Sequence, residues 1–464
     1  SSTGTSETKA WQTLSKVNEM KFNPGDTIKL KSGQTFSAPL YVYQSGSAAD
    51  PIVFDSYGGT ALPVIDASGQ AVGIRLLTQT DVFGSGSDQL SYVIIRNIEI
   101  SNAGVAGGQS AGIWGAKVSN ITIEGLSVHS CEGLAGIYID DPNDHITING
   151  NRVYDILSTT EARTAGYFGY GIVLFGTAGA DNSSYNTITG NIVHNNHNSG
   201  ISVSNSSDNT ISENTVYLNG DCGIGLSEPG AHRNIIEKNE VYENCQYKDD
   251  RSGINMFLVG NGNIVRYNKT HSQYDTYNDP LGHGILINTS EGSAYKLGTC
   301  GIRFDGGHEG VETSAGNIVH TNLITNEGDG YQVYNFADTQ FFNNTIYNSR
   351  RFGALVNGTH AASAVIKNNI ISTMDASATV GGYKHLIMVA HATGYDINNN
   401  LYFPDGASMF NFNENRTNFG GWQGTGRDSV SVLADPRFVN VSTGDFSLQG
   451  TSSAIDLGTA EGIT

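Results

Sequence analysis

Positive charge is what this sequence has least of. Twenty-five lysines and arginines stand against 44 acids, a net charge of −19, and charged residues of both signs make up only 15% of the 464 residues. That balance excludes nucleic acid and anionic membranes as general partners, because both are held by basic surfaces. An anionic substrate is not excluded, since a local basic patch can sit in an acidic field. Long apolar runs are also missing: none reaches about 18 residues, the length that signals a spanning helix. The four cysteines (Cys131, Cys222, Cys245 and Cys300) are too few for a disulfide scaffold. No pair has C-x-x-C spacing, so no zinc site is expected. The opening "SSTGTSETKAWQ" has neither Met nor an apolar signal core and reads as a mature, processed chain.

Glycine is plentiful, at 58 residues, and with it comes repetition. "NTITGNIVHNNHNSGISV" (186–203), "NTISENTVYLNGDCGIGL" (209–226) and "NIIEKNEVYENC" (234–245) are versions of one unit, followed by weaker copies. One asparagine recurs at the same place in each: Asn191, Asn214, Asn239, Asn268, Asn322, Asn344, Asn369 and Asn400. Each unit holds three runs of period-two alternation separated by Gly, Asn, Ser and Asp, which tolerate the left-handed backbone of tight turns. A unit this short cannot bury its own apolar face, whereas a stack of units can. Three short strands per turn, stacked about 4.8 Å apart, make a parallel β-helix, with the asparagines as an internal ladder.

On these repeats the chain resembles the right-handed parallel β-helix superfamily of secreted polysaccharide-active enzymes: hydrolases, lyases and mannuronan C5-epimerases. The resemblance covers roughly residues 50–400. It extends through "DPIVFDSYGGTALPVIDASG" and "LADPRFVNVSTGDFSLQGTSSAIDLG", which look like flanks of bacterial members. The expectation is an all-β, single-domain right-handed β-helix of about eleven rungs. Residues 1–49 form an N-terminal cap, 50–400 the catalytic coils and 401–464 an irregular C-terminal cap. "ETKAWQTLSKVNEM" places Trp11, Leu14 and Val17 on one face of a capping helix. Cys222 and Cys245 fall in the equivalent turn of successive rungs and are expected either to be bonded or to be adjacent buried thiols.

Each rung carries a strand such as "GIWGA", "GIYID", "GIVLF", "GISVS", "GIGLS", "GINMF", "GILIN" or "GYQVY". The residue after glycine points inward and its neighbours outward. The outward set includes Trp114, Tyr138, Asp140, Phe175, Asn255 and Phe257, aromatics among small polar groups that suit stacking against sugar rings. Large aromatics can also fill a surface beneath overhanging loops. Three long turns, 155–170, 245–252 and 270–283, are rich in Tyr, Asp, His, Lys and Arg and are expected to wall one strand. They add Arg163, Tyr167, Tyr170, Lys248, Arg251 and His283 to the substrate-binding set. Lys117 joins it from the rung of Trp114.

Within "GIYIDDPND", Asp140 ends a strand and Asp141 opens a turn. Two carboxylates so close push one toward protonation, the condition for a general acid beside a base. Asp-Asp-Pro-Asn-Asp is also good turn chemistry. Glu228 and Asp250 are further candidate acids, although Glu228 lies three rungs away, about 14 Å at the sheet spacing. The function expected is an endo-acting glycoside hydrolase, which needs two carboxylates about 5–9.5 Å apart. The first alternative is a lyase or C5-epimerase on a uronate polymer. "YIDDPND" resembles the "YGFDPHE" segment of mannuronan C5-epimerases at Tyr138, Asp141 and Pro142, but the histidine falls on Asn143 and the following rung's acid on Phe175. The second alternative is a non-catalytic carbohydrate-binding solenoid. No cofactor is required; a structural or catalytic Ca2+ is left open, although the tight Asp/Glu cluster of a calcium-dependent pectate lyase is not found. The expected partner is a polysaccharide, met outside the cell or in the periplasm by a monomer.

Overall fold

The computed structural model describes residues 3–83, 89–105, 109–158, 169–177, 183–246, 251–273, 299–307, 315–360, 363–373, 385–391 and 393–459. They divide into two compact units. The first is Ser1–Gly220 with Ser227–Asn234, and the second is Asp221–Leu226 with Ile235–Thr464.

In the first unit the chain coils so that every rung adds one strand to each of three parallel faces. Face A takes Thr27–Lys31, Ile52–Tyr57, Leu90–Arg96, Val118–Glu124, Thr147–Asn149, Thr187–Thr189 and Thr210–Ser212. Face B runs through Glu99–Ser101, Ser127–His129, Arg152–Tyr154 and Ile192–His194. Face C, which carries the candidate site, runs through Val72–Leu76, Ala111–Gly115, Ala135–Ile139, Tyr170–Phe175 and Ile201–Ser204. Register is set by alternation: Ile74, Ile113, Ile137, Ile172 and Ile201 stack inside and are fully buried. Each such side chain contributes about 1.5–3 kcal/mol on leaving water. The glycine before the inward residue has a steric cause. A Cβ on Gly136 would meet Val153 Cγ1 at 2.5 Å, and one on Gly112 would meet Val128 Cγ1 at 2.5 Å. The corner from face B to face C is too tight for a side chain.

The second unit repeats the plan. Its face C runs Ser252–Phe257, Cys300–Asp305, Asp329–Tyr334, Phe352–Asn357, His385–Ala390 and Phe410–Phe412. The strand that pairs with Ser252–Phe257 is therefore Cys300–Asp305. The expected rung strand "GILIN" (284–288) lies outside the described residues.

The expected asparagine ladder is present in both units. In the first, Asn151 leads to Asn191 and Asn191 to Asn214, each through a backbone N–H and a side-chain amide donated to the next Oδ1 at 2.9–3.0 Å. In the second, Asn239, Asn268, Asn322, Asn344, Asn369 and Asn400 continue the same bonding rung by rung. The residue just before each ladder asparagine is left-handed, whether glycine (Gly150, Gly190) or not (Glu213, Lys238, Tyr267, Thr321, Asn343). A left-handed L-residue costs about 1–2 kcal/mol, which the paired amide bonds offset. Two further ladders were not expected: Asn186–Asn209–Asn234, and, in the second unit, Asn244–Gln273–Glu327.

The capping helix is short, Leu14–Asn18, with Thr13 accepting from the Lys16 N–H. Leu14 and Val17 are buried as expected, but Trp11 precedes the helix. Parallel strands begin at Thr27 and reach Leu433, beyond both ends of the 50–400 expected for the coils. The chain ends in irregular structure around a short helix, Phe419–Gln423, and an antiparallel hairpin, Phe438–Asn440 with Asp445–Leu448. All four cysteines are free and buried, so Cys222 and Cys245 are not bonded. The Cys245 N–H donates to the Asp221 carbonyl at 2.8 Å, which sets Cys245 on the rung next to Cys222.

Candidate functional site

Face C of the first unit carries one outward column in register, Arg75, Trp114, Tyr138, Val173 and Ser202. The Arg75 guanidinium lies 4.2 Å from the centroid of the Trp114 ring. Trp114 meets Tyr138 edge to face, with centroids 5.8 Å apart and planes at 82°. Asp140 follows Tyr138 in the next outward position. Its backbone N–H donates to the Gly115 carbonyl at 2.7 Å, which holds the strand end against the preceding rung. Phe175 stands one rung further on and is exposed.

The Asp140 carboxyl is half-buried, and this lifts it above the ordinary carboxylate range. The Asp141 charge adds to the rise, while the Asp141 backbone N–H, donated to Asp140 Oδ1 at 2.9 Å, and the charge of Arg75 oppose it. Burial is the larger effect, so the aspartate pair alone does not set Asp140's protonation. Burial, helped by Asp140, pushes the Tyr138 phenol to about 12, so it stays a neutral donor. Asp141 accepts from Ser183 Oγ at 2.9 Å. Asn143 Nδ2 ties the turn by donating to the carbonyls of Asp140 and Phe175, at 3.2 and 3.0 Å. Turn chemistry and an outward carboxyl therefore occur together: the turn's bonds hold Asp140 in place.

The other expected residues are more scattered. Lys117 is exposed, in a left-handed turn after the Trp114 strand, and its charge bears on Asp81. Tyr170 opens the strand that pairs with Ala135–Ile139. Glu228 sits in a left-handed turn, its carbonyl accepting from the Ala231 N–H at 3.0 Å. It is three rungs from Asp140, on the order of 14 Å, and does not join it. In the second unit Arg251 is paired with Asp221 at 2.9 Å, Asn255 accepts from Ser252 Oγ at 3.3 Å, and Phe257 lies in register with Asp305. Arg163, Tyr167, Lys248, Asp250 and His283 lie outside the described residues, as do most of the three expected walls.

Face C of the second unit holds a polar group of which only Gln332 was expected, as an outward residue of "GYQVY". Arg303 pairs with Asp305 at 2.7 Å, and Arg351 grips Asp329 through Nε and Nη2 at 3.0 and 2.5 Å. Gln332 donates to the same aspartate at 2.8 Å. All five are buried. "GIR" at 73–75 and again at 301–303 was the available signal, since it puts an arginine in the outward position of two face C strands. On face B, by contrast, His129, Tyr154, His194 and Tyr217 stack ring on ring at 4.8–5.1 Å. The faces between these rings are taken by one another. Among the described residues no group of three His, Cys, Asp or Glu side chains is placed to hold a metal ion.

The family described as the right handed beta helix region matches residues 74–183 and again 175–300. No curated protein matches the sequence. Among solved structures, a polysaccharide family 6 lyase specific for mannuronic acid, from human gut microbiota, superposes with a TM-score of 0.53 at 13% identity, covering 84% of each chain. XylC in complex with xylose gives 0.51 at 12% identity, over 94% of this chain and 85% of that one. The GH136 lacto-N-biosidase from Eubacterium ramulus gives 0.52 at 15% identity, over 84% of this chain. The chain spans only 65% of the length of that lacto-N-biosidase. At these identities the likeness is one of fold. With the three-faced coils, it makes the chain a right-handed parallel β-helix protein. No helix among the described residues is long and apolar enough to cross a membrane.

Proposed function

We propose that the protein is a polysaccharide-active enzyme working outside the cell or in the periplasm, and specifically an endo-acting glycoside hydrolase whose general acid is Asp140. The observation that carries this is one half-buried outward carboxyl, raised above its ordinary range, at the end of the strand that also presents Tyr138 beside Trp114. A carboxyl group whose acid form is favoured can deliver its proton to a glycosidic oxygen as the bond breaks. Asp141, fixed by Ser183, is the partner carboxylate. Consecutive Cα atoms lie about 3.8 Å apart, which leaves the two carboxyl groups able to approach the roughly 5–9.5 Å spacing that glycoside hydrolysis uses. Aromatic edges and faces on a rigid parallel scaffold supply the sugar platform. Hydrolases, lyases and binding proteins can all share a fold, so the reading rests on this site.

The test is an assay on a polysaccharide panel that follows reducing ends and the ultraviolet absorbance of unsaturated products together. New reducing ends without absorbance support a hydrolase. Absorbance in step with chain cleavage would replace it with a lyase. Binding without any product would make the protein a carbohydrate-binding solenoid.

A further inference from the structure

Asn143, Ser183 and Ser206 form one buried column where face A of the first unit begins. Asn143 pairs with Ser183 in register, and Ser184 bridges to Ser207 one rung on. Ser206 spends its hydroxyl on backbone, donating to the Ser183 carbonyl at 2.8 Å. Ser183 departs from this: its Oγ donates to a side chain, Oδ1 of Asp141, at 2.9 Å. The Phe175 carbonyl lies 3.4 Å from the same Oγ, but it already accepts from Asn143 Nδ2 at 3.0 Å. A hydroxyl has one proton, and the nearer, charged acceptor makes the stronger bond.

Asn143 departs from the column as well, since the next two rungs carry serine at its position. Asparagine reaches further and brings an amide donor. Its Nδ2 lies 3.1 Å from Ser183 Oγ, so the hydroxyl accepts from the amide and keeps its own proton for Asp141. The same Nδ2 donates to the Asp140 carbonyl at 3.2 Å. Its Oδ1 accepts from Asn186 Nδ2 at 2.9 Å, and Asn186 opens the ladder through Asn209 and Asn234. The rung at which the column changes residue is therefore the rung of the aspartate pair.

We propose that Asn143 and Ser183 are positioning residues for the reaction at the aspartate pair. The Asn186 ladder orients the Asn143 amide, the amide orients the Ser183 hydroxyl, and the hydroxyl holds the Asp141 carboxylate beside Asp140. The proposal rests on the reading of Asp140 and Asp141 as the reacting pair. Asn143 and Ser183 are buried beneath the turn, out of a substrate's reach, so they act through Asp141. A carboxylate held in its working geometry by an interior network counts at the transition state, and its loss shows in turnover rather than in substrate binding.

The test is the kinetics of Ser183→Ala and Asn143→Ser on a polysaccharide that the wild-type protein cleaves, with a crystal structure of each variant. Asn143→Ser installs the serine of the next two rungs. Each change should lower kcat about tenfold or more, the worth of a hydrogen bond to a charged group. KM should stay within about twofold. The double variant should lose less than the product of the single losses, because both act through one carboxylate. Ser206→Ala, which removes the column's backbone-bonded hydroxyl, should leave kcat unchanged. In both crystal structures the Asp141 carboxylate should leave its wild-type position, a readout that needs no substrate. Wild-type kcat in Ser183→Ala, a loss carried by KM, an equal loss in Ser206→Ala, fully multiplicative losses or an unmoved Asp141 carboxylate would overturn the proposal. Its failure is separable from failure of the hydrolase reading. Lost turnover in Asp140→Asn with wild-type kcat in Ser183→Ala removes only the positioning role, whereas unsaturated products whose formation depends on Ser183 remove only the hydrolase.

Discussion

Asn191 donates both its backbone N–H and its side-chain Nδ2 to one oxygen, Oδ1 of Asn214, at 2.9 Å each. Both residues are buried, with relative exposures of 0 and 1%. The pair fixes a rung to its neighbour without a β-strand at that point, which is why the left-handed residues Gly190 and Glu213 can precede it.

Replacing Asn214 with Ala removes the acceptor of two buried donors and the donor to the Ile188 carbonyl, now 2.9 Å away. At about 1–3 kcal/mol per orphaned group, the loss should reach ~3 kcal/mol or more and lower the melting temperature clearly. An unchanged melting curve would contradict a structural role for the ladder.

The ladder and the coil were legible because they repeat: eight asparagines at one place in the unit and a glycine opening many of the face C strands leave few alternatives. What repetition hid is equally specific. "GILIN" at 284–288 has the same pattern as a rung strand, and only backbone pairing shows that Cys300–Asp305 follows Ser252–Phe257. Asn244, Gln273 and Glu327 form one ladder with three different residue types, so counting asparagines could not find it. Alternation in "VGIRL" puts Arg75 outside, but a single arginine carries no repeat to mark it. Asp329 and Arg351 meet only through rung stacking, being 22 residues apart in sequence.

Glu327 ends its ladder as a fully buried acid pushed up to about 8, chiefly by burial. Its ordinary value is 4.5, so between these values the folded protein holds a proton that the unfolded chain has released. The resulting instability is absent at low pH, grows as pH rises through that window and is complete above about 8. Glu327→Gln, which installs the residue type found one rung earlier at Gln273, should therefore raise stability above pH 8 by up to several kcal/mol and change little near pH 5. Parallel stability–pH curves for the two proteins would exclude this role.

Burial also pushes the Cys131 and Cys222 thiols to about 12 and raises Cys245. A thiol reagent at pH 8 should react with none of these three in the native protein, because the thiolate is the nucleophile. After denaturation without reductant, four thiols should titrate. A count of two would restore a disulfide.

Two glycines on face C should respond unequally to alanine. At Gly136 a Cβ would meet Val153 Cγ1 at 2.5 Å and the Gly171 carbonyl at 3.0 Å, whereas at Gly225 nothing lies within 4 Å. Gly136→Ala should cost about 1–3 kcal/mol or more by overpacking, and Gly225→Ala should be near neutral. Equal melting temperatures for the two variants would refute the tight-corner explanation of the glycine repeat.

The most direct measurement is turnover by Asp140→Asn on a polysaccharide that the wild-type protein cleaves, with the melting temperature recorded on the same sample. Asparagine keeps the side chain's shape and its acceptor for the Asp141 N–H while removing the proton to be donated. Turnover should fall about 10²–10⁴-fold, the usual worth of general acid catalysis, and the melting temperature should stay within a few degrees. Wild-type turnover in this variant would contradict the assignment of Asp140 as the acid.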